Sequence, residues 1–218
     1  MWRMTDIVSR ARIEIAEEAR GNSFIDLLEA GAVPRERLRW LAGELYRLVG
    51  SDRRSQALLA SRFPDPPAGD MFLALAKGEA EALRLLDNFA TAVGMGPAEV
   101  AAYEPVPLAQ AYPAYLTQLA VWGSSSAMAL ALLANVDESG GTYARVAAAL
   151  RERYGLSLTA VSHFLFFADT PPELLDQARA VLAAGLAAGE DADEAVRSAR
   201  IVSGLEAAFW DALADGLA

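Results

Sequence analysis

The residue of this chain best suited to move a proton is Glu206. If its neighbourhood is helical, Val202, Phe209 and Trp210 lie three and four positions away, on its own face. A carboxyl withdrawn from water beside such residues titrates above its ordinary range and can serve as a general acid or base. The competing reading puts Glu206 at the margin of the stripe, in reach of solvent. Tyr112 and Tyr115, three apart, share a face and can line a pocket, their hydroxyls orienting a ligand; aromatics at this spacing equally suit a plain core. Asn135 ends an uncharged stretch, either as a cap or turn residue or as an amide facing a pocket. Glu44 has Trp40, Leu41, Arg47 and Leu48 around it at helical spacing, and a surface pairing with Arg47 or Arg37 is the simpler account. The run Ser124–Ser126 reads as small residues within a helix that let a neighbour approach.

Other chemistries lack their residues. There is no cysteine, so no thiolate nucleophile or thiolate-bound metal. His163, beside Phe164, Phe166 and Phe167, is the single histidine, too few for a di-iron or zinc site. It is the one imbidazole a haem could take, and it reads instead as a satisfied or surface side chain. No glycine-rich nucleotide loop or nucleophile elbow occurs. No cofactor or metal is therefore expected.

Formal net charge is −10, which opposes phosphate binding by a nucleic-acid reader. Arg35, Arg37, Arg39 and Arg47 alternate with Glu36 and Glu44 and look like a solvated helix surface. The N-terminal stretch carries charges throughout and does not read as a signal peptide. Residues 105–136 are uncharged, but Gln110, Pro113, Gln118 and the serines interrupt any membrane-length apolar window, so a buried central helix is expected. Together these features suggest a cytoplasmic protein with neither a nucleic-acid nor a membrane partner.

The elements that must position these side chains are helices. Hydrophobic residues make up 54% of 218, alanine and leucine dominate, and no segment alternates with period two. A charged amphipathic helix is expected from Thr5 to about Arg20. Ser23 to Asp26 resembles a capping box for a short helix ended by Gly31. Pro34 opens a long helix to about Arg62, and Phe63–Pro67 forms a turn. A third helix carries Met71, Leu75, Leu83, Leu86, Phe89 and Val93 inward, and Pro97 opens a short one. The uncharged helix should span Leu108 to Asn135, and Ser139 should start another that Gly155 ends. A short aromatic helix spans Ser157 to Ala168. Thr170-Pro171-Pro172-Glu173 and Asp191 open the last two. The expectation is one domain, residues 1–218, an all-α bundle of eight to nine helices.

The segment Glu206-Ala207-Ala208-Phe209-Trp210-Asp211-Ala212 resembles the closing signature of TenA-type proteins. The stretch from Ser23 through Val33-Pro34 to Trp40 is similar to that family's first two helices. Tyr112-Pro113-Ala114-Tyr115 with Trp122-Gly123-Ser124 resembles its central helix. The resemblance implies a haem-oxygenase-like fold, a homodimer or higher homo-oligomer, and a relation to thiaminase-II-type hydrolases of aminopyrimidines. Carried over residue by residue, the family's catalytic glutamate falls on Glu206 and a pocket tyrosine on Tyr112. Its nucleophilic cysteine falls on Asn135, and its pyrimidine-binding aspartate on Leu45, or on Glu44 after a one-residue shift. Without thiol and carboxylate, the covalent step and the charge-assisted contact are lost.

The resulting expectation is a divergent TenA-like protein holding a small organic molecule in a central pocket. Glu206 would be its acid or base, and Tyr112, Tyr115, Asn135, Glu44, Leu45, Phe209 and Trp210 would contribute to the pocket. The alternative is a non-catalytic binder, or a structural or interaction protein on the same scaffold.

Overall fold

The computed structural model describes residues 4–19 and 21–217, so the expected helix end at Arg20 lies outside them. The described residues form ten helices and no strand. They are α1 (Met4–Glu18), α2 (Ser23–Glu29), α3 (Arg35–Arg62), α4 (Ala68–Ala92) and α5 (Pro97–Ala101). The remainder are α6 (Ala111–Trp122), α7 (Ser125–Glu152), α8 (Ser162–Ala168), α9 (Pro172–Ala187) and α10 (Ala192–Ala212). The all-helical class follows the sequence pattern; the ten helices exceed the eight to nine expected from it.

The main difference lies in the uncharged stretch. It is two helices, broken at Gly123. A Cβ there would meet the Leu119 carbonyl oxygen at 2.7 Å, so only glycine lets the chain turn this sharply. Ser124 then caps α7, its hydroxyl accepting from Ala127 N at 3.1 Å. Ser125 and Ser126 are the first turn of α7, not its middle. Their backbone and hydroxyl donors converge on the Glu190 carboxylate, which meets the positive end of the helix. Conversely, no break occurs at Asn135 or Ser139. The stretch 135–141 stays helical because α7 packs there against its neighbours: a Cβ at Gly140 would lie 3.2 Å from the Ala168 carbonyl oxygen.

The other caps depart from expectation at two helices: the capping boxes expected at Ser23 and Thr170 do not form, and Asp191 alone caps where the sequence placed it. Asn22, one residue before Ser23, caps α2 by accepting from Ile25 N. Asp191 caps α10 by accepting from Asp193 N and Glu194 N. Pro172 occupies the first turn of α9, where its missing N–H costs nothing, but no side chain caps that helix.

α3 packs chiefly on α4, α7 on α10, α9 and α8, and α6 on α3 and α10. The packing produces two apolar cores. The first holds Phe24, Leu45, Val49, Leu86, Phe89, Val146, Phe209 and Trp210. The second holds Leu59, Phe72, Leu119, Leu130, Leu182 and Val202. Four long helices run through both, and that fact positions the site.

Candidate functional site

Each of the four helices changes character where it crosses between the cores. On α3 the polar residues Asp52, Ser55 and Gln56 separate Val49 of the first core from Leu59 of the second. On α4, Glu79 lies between Phe72 and Ala82. On α7, Asn135 and Ser139 lie between Leu133 and Tyr143. On α10, Glu206 lies between Val202 and Phe209. Tyr112 of α6 packs against both cores. The result is a polar layer enclosed by apolar material above and below.

Desolvation and mutual repulsion dominate its electrostatics. Burial pushes the Glu206 carboxyl up to about 7; Ser139 opposes this by donating at 2.6 Å to Oε1, and the nearby charge of Glu138 adds to it. Burial raises Glu79 to about 8. Asp52 is raised well above the usual carboxylate range, first by burial and then by the charges of Glu79 and Glu206. The phenols of Tyr112 and Tyr143 are raised by burial and by the same three acids. Three carboxyls and two phenols thus act on one another inside a low-dielectric layer. Near neutral pH the layer keeps protons that exposed acids would have lost.

Several acceptors in this part of the molecule have no donor. Asp52 Oδ1, Gln56 Oε1, Glu79 Oε2 and Asn135 Oδ1 are shielded from solvent without a hydrogen-bond partner. Such groups cost about 1–3 kcal/mol each unless something pairs with them. Glu206, Glu79 and Tyr112 remain only half-buried despite their strong desolvation, as side chains lining an internal space would be. Among the described residues no grouping of three or more histidine, aspartate or glutamate side chains could hold a metal ion.

The residues singled out in the sequence take different positions. Glu206 and Tyr112 lie in the polar layer. Phe209 and Trp210 are almost fully buried in the first core, where Trp210 meets Tyr143 edge-on at 5.4 Å between ring centroids. Leu45 is buried in the same core. Asn135 is neither cap nor turn: it lies inside α7, its amide donating to the Ala131 and Ala199 carbonyls at 2.8 and 3.3 Å. Tyr115 packs against the second core and lines a surface recess of about 300 Å³ with Trp122, apart from the polar layer.

Glu44 is not a surface residue, and neither Arg37 nor Arg47 pairs with it. It is fully buried and accepts from Tyr103 Oη at 2.9 Å, from Val106 N at 2.5 Å and from Gln110 Nε2. Gly43 makes this possible: a Cβ there would lie 2.3 Å from the Tyr103 ring, so the ring rests directly on the α3 backbone. Glu44 thereby anchors the segment leading into α6 to α3. Arg47 donates instead to the Ala101 and Tyr103 carbonyls. His163 is buried, its Nδ1 2.9 Å from the Ala82 carbonyl oxygen, and burial lowers it to about 4, so it is neutral at physiological pH.

Sequence reasoning missed Asp52, Glu79, Ser139 and Tyr143. The available signal was a polar residue interrupting an apolar stripe at comparable depth on several helices.

A model of the TENA/THI-4/PQQC family matches residues 15–215. Among solved structures, the chain is similar to a TenA homologue from P. horikoshii OT3, with a TM-score of 0.68 at 18% identity, covering 99% of this chain and 100% of that one. It is also similar to a TenA family transcription regulator from Silicibacter sp. TM1040, with a TM-score of 0.70 at 17% identity, covering 95% and 96%. A domain of unknown function with a heme oxygenase-like fold from Shewanella denitrificans OS217 follows, with a TM-score of 0.59 at 16% identity, covering 94% and 93%. At these identities the likeness establishes the fold, which is haem-oxygenase-like. No curated protein matches the chain.

Proposed function

Because the chain belongs to the TENA/THI-4/PQQC family, we propose that it binds a small organic molecule bearing N–H or O–H donors in the polar layer, with Glu206 as the acid or base that acts on it. The observation that carries this reading is a set of polar atoms without partners: Asp52 Oδ1, Gln56 Oε1 and Glu79 Oε2 make no hydrogen bond, beside a Glu206 carboxyl pushed up to about 7. A ligand supplying donors would satisfy these groups and gain charge-assisted bonds from any acid it deprotonates. Glu206, poised at about 7, suits proton transfer in either direction. Tyr112, on the seam between the cores, would orient the ligand.

The usual thiaminase-type hydrolysis is not part of this reading. Asn135 has no nucleophilic atom, and Leu45 offers no charge to an aminopyrimidine. The Asn135 amide is already committed to two carbonyls, which favours, as a second reading, a binder without chemistry.

Native mass spectrometry of the purified protein tests the proposal. A retained donor-bearing molecule, lost from Asp52→Asn and Glu79→Gln variants that still fold, supports binding; an empty protein whose polar layer is filled by its own side chains in a crystal structure opposes it. Turnover of the retained molecule that survives Glu206→Gln would remove the acid–base role.

A further inference from the structure

The outward side of the α3–α4 pair carries a feature that the polar layer does not use. A groove of about 750 Å³ runs between the two helices, lined by Tyr46, Arg47, Arg53 and Arg54 of α3 and by Lys77 and Leu83 of α4. Its lining contains no acidic residue. In a chain of net charge −10 this is a local reversal of sign, and Lys77 is the only lysine in the sequence.

The cations are also unneutralised. Elsewhere Arg12, Arg39, Arg84, Arg145, Arg179, Arg197 and Arg200 pair with carboxylates, and Arg35, Arg37, Arg62 and Arg153 are held by backbone carbonyls; what sets the groove apart is that four cations without a carboxylate line one recess. Among the described residues none of Arg47, Arg53, Arg54 and Lys77 has a carboxylate within ion-pair distance. Arg47 is held by two backbone carbonyls, which leaves its charge unbalanced and its head fixed. Like charges gathered in one concave surface repel each other unless an anion enters. Small residues form the floor: Gly50, Ala76 and Ala80 let a ligand lie close to both helix backbones. Tyr46 keeps 39% of its surface and offers a ring at one end.

We propose that the α3–α4 groove binds a phosphate-bearing small molecule of nucleotide size, its phosphates held by Arg53, Arg54 and Lys77 and its ring resting on Tyr46. Guanidinium groups grip phosphate oxygens through paired N–H donors, and the volume lies within the range of small-molecule sites. The groove opens on the opposite side of α3 from Asp52 and Gln56, so a phosphate-bearing ligand and the donor-bearing ligand of the polar layer would occupy the two faces of one helix pair.

ADP and adenosine are the probes, titrated into the full chain by calorimetry at low ionic strength, about 50 mM. ADP is expected to bind saturably with a dissociation constant on the order of 100 µM, and adenosine at least tenfold more weakly. The double variant Arg54→Ala/Lys77→Ala should lose tenfold or more in ADP affinity. Arg179→Ala/Arg197→Ala, which removes the same charge from surface pairs elsewhere, should keep it. The proposal is overturned if ADP gives no saturable signal up to about 10 mM, if adenosine binds as well as ADP, or if both double variants weaken ADP equally.

Discussion

Ser139 of α7 donates a 2.6 Å hydrogen bond to Oε1 of Glu206 on α10. The bond crosses the most extensive contact α10 makes and stabilises the ionised form of a carboxyl that burial would otherwise keep protonated. Removing it should therefore move the titration upward. In Ser139→Ala the Glu206 midpoint is expected to rise above about 7. Side-chain carboxyl shifts followed by NMR through a pH series check this; an unchanged or lowered midpoint contradicts it.

Glu79 links the polar layer to stability. Its folded-state value of about 8 lies above that of an exposed glutamate, so the folded state holds its proton where the unfolded state has lost it. Its contribution is fully present below the unfolded value and is lost as pH rises through the folded one. Glu79→Gln abolishes this dependence. The stability of the variant relative to the parent chain should grow by about 1–3 kcal/mol from pH 4.5 to 8.5, as read from denaturant midpoints. A constant difference across that range would show that Glu79 is not desolvated.

His163 acts with the opposite sign. Burial lowers it to about 4, so folding excludes a proton that the unfolded chain binds below about pH 6.5. Stability should fall as pH drops from about 6.5 towards 4, and His163→Phe should remove that decline while losing the bond to the Ala82 carbonyl. Thermal melts of both proteins at matched pH values measure it. Parallel curves for the two would refute the assignment.

Glu44 supplies a purely structural test. Glu44→Ala strands the Tyr103 hydroxyl, the Val106 N–H and the Gln110 amide, and should cost about 2–4 kcal/mol. Gly43→Ala should destabilise by lifting the Tyr103 ring off α3, with Glu44 itself intact. If the two losses in the double variant sum to less than the separate ones, the residues act as one anchor.

The helix N-terminus created at Gly123 can be probed in the same way. Ser124→Ala removes the hydroxyl that accepts from Ala127 N and should cost about 1 kcal/mol. Glu190→Ala should cost at least as much, since it removes the carboxylate facing four donors of Ser125 and Ser126. Chemical denaturation resolves both; a neutral effect at Ser124 would mean that α7 does not begin there.

The sequence by itself determined the helical class and most helix ends, because spacing of three and four and the chemistry of caps are local properties. Val202, Phe209 and Trp210 put Glu206 beside an apolar stripe, but whether its carboxyl is withdrawn from water depends on what packs there. The tertiary structure alone decided the remainder of the polar layer. Asp52 precedes Arg53 and Arg54, and Glu79 lies in a run of alanine and acidic residues, so either reads as solvated until α3 and α4 pair. A helix fixes which residues share a face, but not which face a neighbour will cover. The same limit explains Glu44, which Tyr103 reaches from 59 residues away, and Asn135, whose helix continues because α7 is packed along its length. Glu206 lies between the two cores, and its charge acts on Asp52 of α3, a helix distant in sequence that only the packing brings near.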